Sequence, residues 1–295
     1  MADRHFVFTV TTGRSGTVYL TELLKANMPK AEVHHERVGW LNFGVETPDA
    51  SHFMLYNSVG NVPEVEAFWE QKLKRLGHSQ VPQYVETSHF LSKGGLIENL
   101  HHLTDYGTVH IINLKREPHK IAWSLFNRKD FANWGFTWLF YLDPRYPNKI
   151  VRSDPFMSSG ELGGALWYVH EMQARGAYYK LLLQDMPNVV FHDIDLSDIT
   201  DEDGAHYMLT ALGCPPDGKV VIPPKQNETQ RWREGEANHR LLMDLVDRLP
   251  VDAEKRAKAY FDMGYRLGAP DNEFVPFYHD KKKRLAEELA ALGVK

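Results

Sequence analysis

The sequence holds a single cysteine, Cys214, in 295 residues. That excludes an internal disulfide and a cysteine-rich metal site, and it suits a reducing compartment. No uninterrupted apolar run approaches the roughly 20 residues of a membrane-spanning helix, so no membrane partner is expected. The first residues pass almost directly into an apolar run, which predicts no signal peptide and a cytoplasmic location. Positive charge is not in excess. The 34 Lys and Arg stand against 39 Asp and Glu, a formal net charge of −5. Nucleic-acid affinity rests on an excess of Lys and Arg, so no nucleic-acid partner is expected. A zincin needs H-E-x-x-H, but His35-Glu36 is followed by Gly39 and His170-Glu171 by Ala174, so no metal is expected. Internal repeats and low-complexity linkers are also absent.

What is present is an ordinary globular composition, 43% hydrophobic. The length suits one α/β domain with insertions or two small domains. It is read as a single domain over 1–295. The chain is organised around Phe6 to Asn27, FVFTVTTGRSGTVYLTELLKAN. Phe6-Val-Phe-Thr-Val10 reads as a buried strand. A loop, Thr11-Thr-Gly-Arg-Ser-Gly-Thr17, follows, and Leu20, Leu23 and Leu24 recur at helical spacing. A strand, a glycine-containing loop and a helix can converge backbone N–H groups and a helix dipole on one anion. A tight turn with no ligand is the plainer alternative. A Walker A motif is excluded, because Gly13 lacks a glycine five residues on and no Lys follows Gly16.

Further strands are expected at 83–86, 108–114 and 188–192. Ala31 to Val38 reads as a short strand or loop, with the polar cluster His34, His35 and Glu36. Residues 39–63 read as mostly irregular. Pro63 starts a helix with Val65, Trp69, Leu73 and Leu76 on one face. Ser88 and His89 follow the 83–86 strand, and ligands bind beyond the carboxyl ends of strands in open α/β sheets. Lys115-Arg-Glu-Pro-His119 leads from the 108–114 strand into a helix, with Arg116 and Ser124 eight residues apart. An aromatic-rich insertion spans 130–160; an acceptor lid, a packed subdomain and a dimer contact are all open to it. A helix over 162–186 carries its core stripe on Leu162, Leu166, Val169, Met172, Gly176, Tyr179 and Leu183, with Trp167, Tyr168, Glu171 and Arg175 facing elsewhere. Another helix covers 201–212. Residues 222–233 form a polar, basic loop. An amphipathic helix at about 281–292 suits packing or a homodimer contact. Strands alternating with helices predict a parallel β-sheet flanked by helices.

Arg14-Ser-Gly-Thr17 with Tyr19 and Leu20 resembles the first signature of the sulfotransferase family, [KR]-S-G-T-[T]-[WY]-L. Arg116, Pro118 and Ser124 resemble the second, R-x-P-x-x-x-x-x-S. The resemblance implies a P-loop NTPase-like sulfotransferase fold. It also implies sulfuryl transfer from 3′-phosphoadenosine-5′-phosphosulfate (PAPS) to a hydroxyl or amine of a small-molecule or carbohydrate acceptor, leaving adenosine 3′,5′-bisphosphate (PAP). Gly13, Arg14, Ser15, Gly16, Thr17, Val18 and Tyr19 would hold the 5′-phosphosulfate end. Val18 stands where many members have a second Thr. Arg116 and Ser124 would hold the 3′-phosphate, and Lys225 and Asn227, with Arg231 and Arg233, would close over the nucleotide. Arg14 would sit over the bridging oxygen. Several sulfotransferase groups place a general-base Glu about twenty residues after the phosphate loop, and Glu36 lies 21 after Ser15. His35 would orient it. YVETSHFL also resembles the V-K-T-H-L stretch in which a His is the base. That match makes His89 the rival, with a one-residue shift and Glu86 in place of the family's Lys. A P-loop nucleotide kinase or NTPase and a non-catalytic nucleotide-binding protein of the same fold are the alternative functions.

Overall fold

The structure is a computed structural model describing residues 4–292 except 134, 136, 138, 139 and 225–234. Lys225, Asn227, Arg231 and Arg233, and the insertion's Trp134, Phe136 and Trp138, lie outside the described residues.

Five parallel strands form one sheet: β1 (His5–Val10), β2 (Ala31–His35), β3 (Gln83–Thr87), β4 (Thr108–Lys115) and β5 (Val189–Asp195), in the order β2-β3-β1-β4-β5. The 31–38 segment supplies an edge strand, so the sheet has one strand more than the four clear apolar runs. β1 is buried along its whole length. Its side chains alternate between two layers. Phe6, Phe8 and Val10 join Trp69, Leu73, Tyr178 and Tyr179 on one face, and Val7 joins Leu20, Leu23, Leu24 and Met208 on the other. Helices therefore cover both faces, as a buried parallel sheet requires.

The helices are α1 (Thr17–Asn27), α2 (Ala50–Val59), α3 (Pro63–His78), α4 (Pro118–Asn127), α5 (Gly160–Leu183), α6 (Glu202–Ala211), α7 (Glu236–Arg248), α8 (Ala253–Asp262) and α9 (Phe274–Ala291). α3 starts on Pro63 with Glu64 and Glu66 in its first turn and ends with Arg75 and His78, matching the helix dipole. α2 corrects the irregular reading of 39–63. It is held by a capping box in which Asp49 caps Ser51 and His52, and His52 closes back on Asp49. A histidine in the place of the usual Glu or Gln hides that signal.

α5 also corrects an expectation. Trp167, Tyr168, Glu171 and Arg175 are all buried along with the core stripe. The helix packs against the sheet core through Tyr178 and Tyr179 and against α4 and α7 through Leu162, Leu166 and Trp167. Between Leu162 and Lys180 only a narrow stripe through Gln173, Ala177 and Lys180 reaches the surface, so most of its circumference is buried. Its charges are paired inside: Arg175 Nε donates to Glu171 at 2.7 Å, and its other nitrogens reach the Asn57 side chain and the Asn148 carbonyl.

Other buried polar groups tie the strands together. Lys72 on α3 meets Glu86 on β3 at 2.6 Å, both fully buried. Tyr84 donates to the same Glu86 oxygen. Across β1, β4 and β5 runs a row of imidazoles. His5 Nδ1 lies 3.0 Å from His110 Nε2, and His110 Nδ1 lies 3.0 Å from His192 Nε2. Of the described aromatics of the insertion, Phe131, Tyr141, Tyr146 and Phe156 are buried and Phe140 is partly buried. α9 lies on α2 with no buried residue of its own. Among the described residues no helix is long and apolar enough to cross a membrane.

Candidate functional site

In the order β2-β3-β1-β4-β5, β1 connects toward the β2 edge and β4 toward the β5 edge. The crevice at their carboxyl ends is where such sheets place ligands. The 11–17 loop sits there. Thr11 Oγ1 donates to the Leu114 carbonyl at 2.8 Å, pinning the end of β1 to the end of β4. Ser15 is fully buried, and its hydroxyl holds the Thr12 carbonyl at 2.9 Å. Gly16 caps α1 at φ 108°, a left-handed conformation, and a Cβ there would meet Leu196 at 2.7 Å. Arg14 is also left-handed, at φ 68°. A non-glycine residue held there stores strain of the kind found at functional sites.

Three features of this loop bear on what it could hold. α1 has no side-chain cap, so its first N–H groups point outward uncapped. Thr12 Oγ1 is buried with no hydrogen-bond partner among the described residues. And three guanidinium groups crowd together. Burial first, then Arg128, and more weakly Arg116, push the Arg14 pKa down, opposed by Tyr141 and Asp130. Arg128 is paired with Asp130 at 3.3 Å, and the remaining positive field suits an anion.

The second motif meets the first. Arg14 Nε donates to Ser124 Oγ at 3.0 Å, and Arg116 Nη1 donates to the Arg14 carbonyl at 3.0 Å. Arg116 lies just past β4 and Ser124 on α4, so the β4–α4 junction is docked on the β1–α1 junction. Thr17 and Val18 lie in the first turn of α1. Tyr19 belongs to the core, its hydroxyl donating to the Ile199 carbonyl at 3.0 Å.

Glu36 and His89 are brought together by sheet register. His35 pairs with Thr87 between β2 and β3, so the next residues of both strands emerge side by side. The Glu36 N–H continues the pairing to the Thr87 carbonyl at 3.0 Å, and Glu36 then turns left-handed at φ 41°. Its carboxylate lies 3.5 Å from His89 Nε2 and 3.8 Å from His35 Nε2. His35 Nδ1 contacts Thr87 Oγ1 at 3.1 Å, which orients its ring. A Cβ on Gly13 would lie 3.6 Å from His89 Nε2, so this cluster borders the 11–17 loop. Burial raises the Glu36 pKa, against the opposing pull of His35, Lys93, the His89 backbone N–H and Arg14. Burial, with Lys93, His35 and Arg14, pushes the His89 pKa well below its ordinary value.

Sequence reasoning missed three members of this cluster. Lys93 is fully buried and contacts His89 Nδ1 at 2.9 Å. Tyr168 of α5 accepts the Gly13 N–H at 3.3 Å. Tyr141 stacks on His89, centroids 5.5 Å apart and planes at 15°. The available signal was a lone Lys inside the apolar run FLSKGGLI, since lysine is rarely buried without a partner. Glu86, at the position of the family's Lys, is closed off by Lys72 and Tyr84. A groove of about 670 Å³ lies apart, between α2 and α9, lined by Leu55, Val59, Phe277 and Leu285 among others.

No family model matches the chain, and no curated protein matches it. Among solved structures, a sulfotransferase from Alicyclobacillus acidocaldarius is similar in backbone, with 14% identity and a TM-score of 0.44 over 94% of this chain and 100% of that one. The sulfotransferase domain from the curacin biosynthetic pathway is similar at 11% identity and a TM-score of 0.44, over 90% and 99%.

Proposed function

We propose that the protein is a sulfotransferase that moves a sulfuryl group from PAPS to a hydroxyl or amine of a small-molecule or carbohydrate acceptor. The observation that carries this reading is the junction of the two loops. Arg14, bonded to Ser124, and Arg116, bonded to the Arg14 carbonyl, sit beside an uncapped helix N-terminus and a half-buried carboxylate. Such an arrangement suits a donor with two separate phosphate groups and an acceptor that must lose a proton. The unpartnered Thr12 hydroxyl and the crowded guanidiniums fit its anionic end.

In this reading Arg116 and Ser124 bind the 3′-phosphate, and residues 13–18 bind the 5′-phosphosulfate. Glu36 accepts the acceptor's proton as the new bond forms to sulfur. The bond from sulfur to the bridging oxygen breaks, and its electron pair stays on the 5′-phosphate of PAP. Arg14 and the backbone N–H groups of the loop are fixed in place to stabilise that growing charge. None of these steps needs a metal ion.

Thermal unfolding tests the reading directly. PAP without metal should raise the unfolding temperature, and ATP with Mg²⁺ should not. The reverse pattern points to a nucleotide kinase or NTPase. Labelled sulfate appearing on any member of an acceptor panel establishes turnover. PAP binding with no transfer to a broad panel points to a non-catalytic nucleotide-binding protein.

A further inference from the structure

The His89 imidazole is held between two groups of opposite character. Its Nδ1 is 2.9 Å from Lys93 Nζ, and its Nε2 is 3.5 Å from Glu36 Oε1. Lys93 Nζ also donates to the Phe140 carbonyl at 2.6 Å. It lies 5.2 to 5.5 Å from the ring centroids of Phe90, Tyr141 and Tyr168. An ammonium has three hydrogens and no lone pair. Opposite a charged Lys93, Nδ1 can only be the bare nitrogen, and the single proton of a neutral ring must sit on Nε2.

We propose that Lys93 is a positioning residue that fixes the His89 proton on Nε2, making His89 a hydrogen-bond donor and leaving Glu36 as the base. This rests on the sulfuryl-transfer reading for its consequence, but the tautomer itself does not. With Nδ1 occupied by Lys93 and Nε2 protonated, His89 has no lone pair for the acceptor's proton. It presents Nε2–H toward Glu36 and the space beside Gly13.

The surroundings agree. Burial, Lys93, His35 and Arg14 all disfavour the imidazolium, so the ring is neutral and only its tautomer is left to set. Burial pushes the Lys93 pKa well below its ordinary value, against Glu36, which favours the ammonium, and with Arg175 adding to the fall. The three aromatic rings around Nζ favour the ammonium too. Were Lys93 a free amine, the contact would run the other way. Nδ1–H would donate to Nζ, Nε2 would expose its lone pair, and the base would pass from Glu36 to His89. The charge on one buried lysine thus selects between the two candidate bases.

The experiment is long-range ¹H–¹⁵N NMR on the full chain with ¹⁵N-labelled histidine, the His89 signals being those lost in His89→Asn. No nucleotide or acceptor is added. At neutral pH the protonated nitrogen of His89 should be Nε2 and the bare one Nδ1. Lys93→Met should lose that split, giving mixed tautomers and a His89 titration moved upward. Lys93→Arg, which keeps the donor, should retain it. Protonated Nδ1 in the unmodified protein overturns the proposal, and so does an unchanged tautomer in Lys93→Met. The first measurement needs no Lys93 variant to fold. Because nothing here depends on turnover, this failure is distinct from failure of PAP to bind.

Discussion

Glu36 Oε1 and His89 Nε2 lie 3.5 Å apart at the carboxyl ends of neighbouring strands. The two residues that sequence motifs set up as rival bases are therefore members of one cluster. Their difference lies in environment. Glu36 keeps a partly exposed carboxylate, whereas His89 is buried with Lys93 on its other nitrogen.

Removing each in turn separates them. Glu36→Gln keeps size and hydrogen bonding but not the base, so turnover should fall by roughly 10²–10⁴ with PAP affinity nearly unchanged. His89→Asn should cost less. Steady-state kinetics with calorimetry on both variants checks this, and loss of turnover in His89→Asn alone would reverse the assignment.

Arg116 holds the Arg14 carbonyl, and the proposed function gives it a second task, binding a phosphate of PAP. Arg116→Ala should weaken PAP binding by about 1.5 to 3 kcal/mol, roughly ten- to a hundredfold. Arg116→Lys keeps the charge but not the planar fork, so it should recover only part of the loss. Unchanged affinity in a folded Arg116→Ala protein would remove the second motif from the site.

Glu98 makes stability depend on pH. It is buried, accepts a hydrogen bond from Tyr56, and burial lifts its pKa to about 7. A raised carboxyl pKa means the native state holds the proton more tightly than the unfolded chain. The contribution is fully present below the unfolded value of roughly 4.3 and is lost as pH rises toward 7, at about 1.4 kcal/mol per unit at most. Glu98→Gln, neutral throughout, should be more stable than the parent at pH 8 and gain little at pH 4. Denaturant unfolding at the two pH values measures it, and equal differences at both would sink the account.

The Lys72–Glu86 pair offers a double-mutant cycle. Lys72→Met strands a buried carboxylate and should cost about 3 to 5 kcal/mol, and Glu86→Gln alone completes the cycle. Lys72→Met with Glu86→Gln removes both charges and keeps a partner for Tyr84, so it should regain much of that loss. Additive effects in urea unfolding would mean the pair is not coupled.

The strand–loop–helix at 6–27 and the strand–helix junction at 108–124 were legible because each combines an apolar run with turn chemistry in a span of about twenty residues. Arg14, Arg116, Ser124, Glu36 and His89 could be named from such local patterns. Tyr168 could not, because it meets Gly13 from far along the chain, and Lys93, though only four residues from His89, carries no motif that marks its contact. α5 misled for a related reason. A helix enclosed over most of its surface carries Glu171 and Arg175 inward because they satisfy each other, and a face-by-face reading assigns such charges to solvent. α2 escaped notice because His52 does the capping work expected of a glutamate.

The imidazole row across β1, β4 and β5 has a direction. Burial and its two neighbours bring His110 down to a pKa of about 3, so at neutral pH it owns one N–H and one lone pair. Both of its nitrogens are engaged, Nε2 with His5 and Nδ1 with His192. It must therefore receive a hydrogen bond from one neighbour and give one to the other. Turning His110 to its other tautomer obliges both neighbours to exchange roles, so the three rings form a polar relay lying crosswise to the strands, with two opposite senses and no arrangement in between.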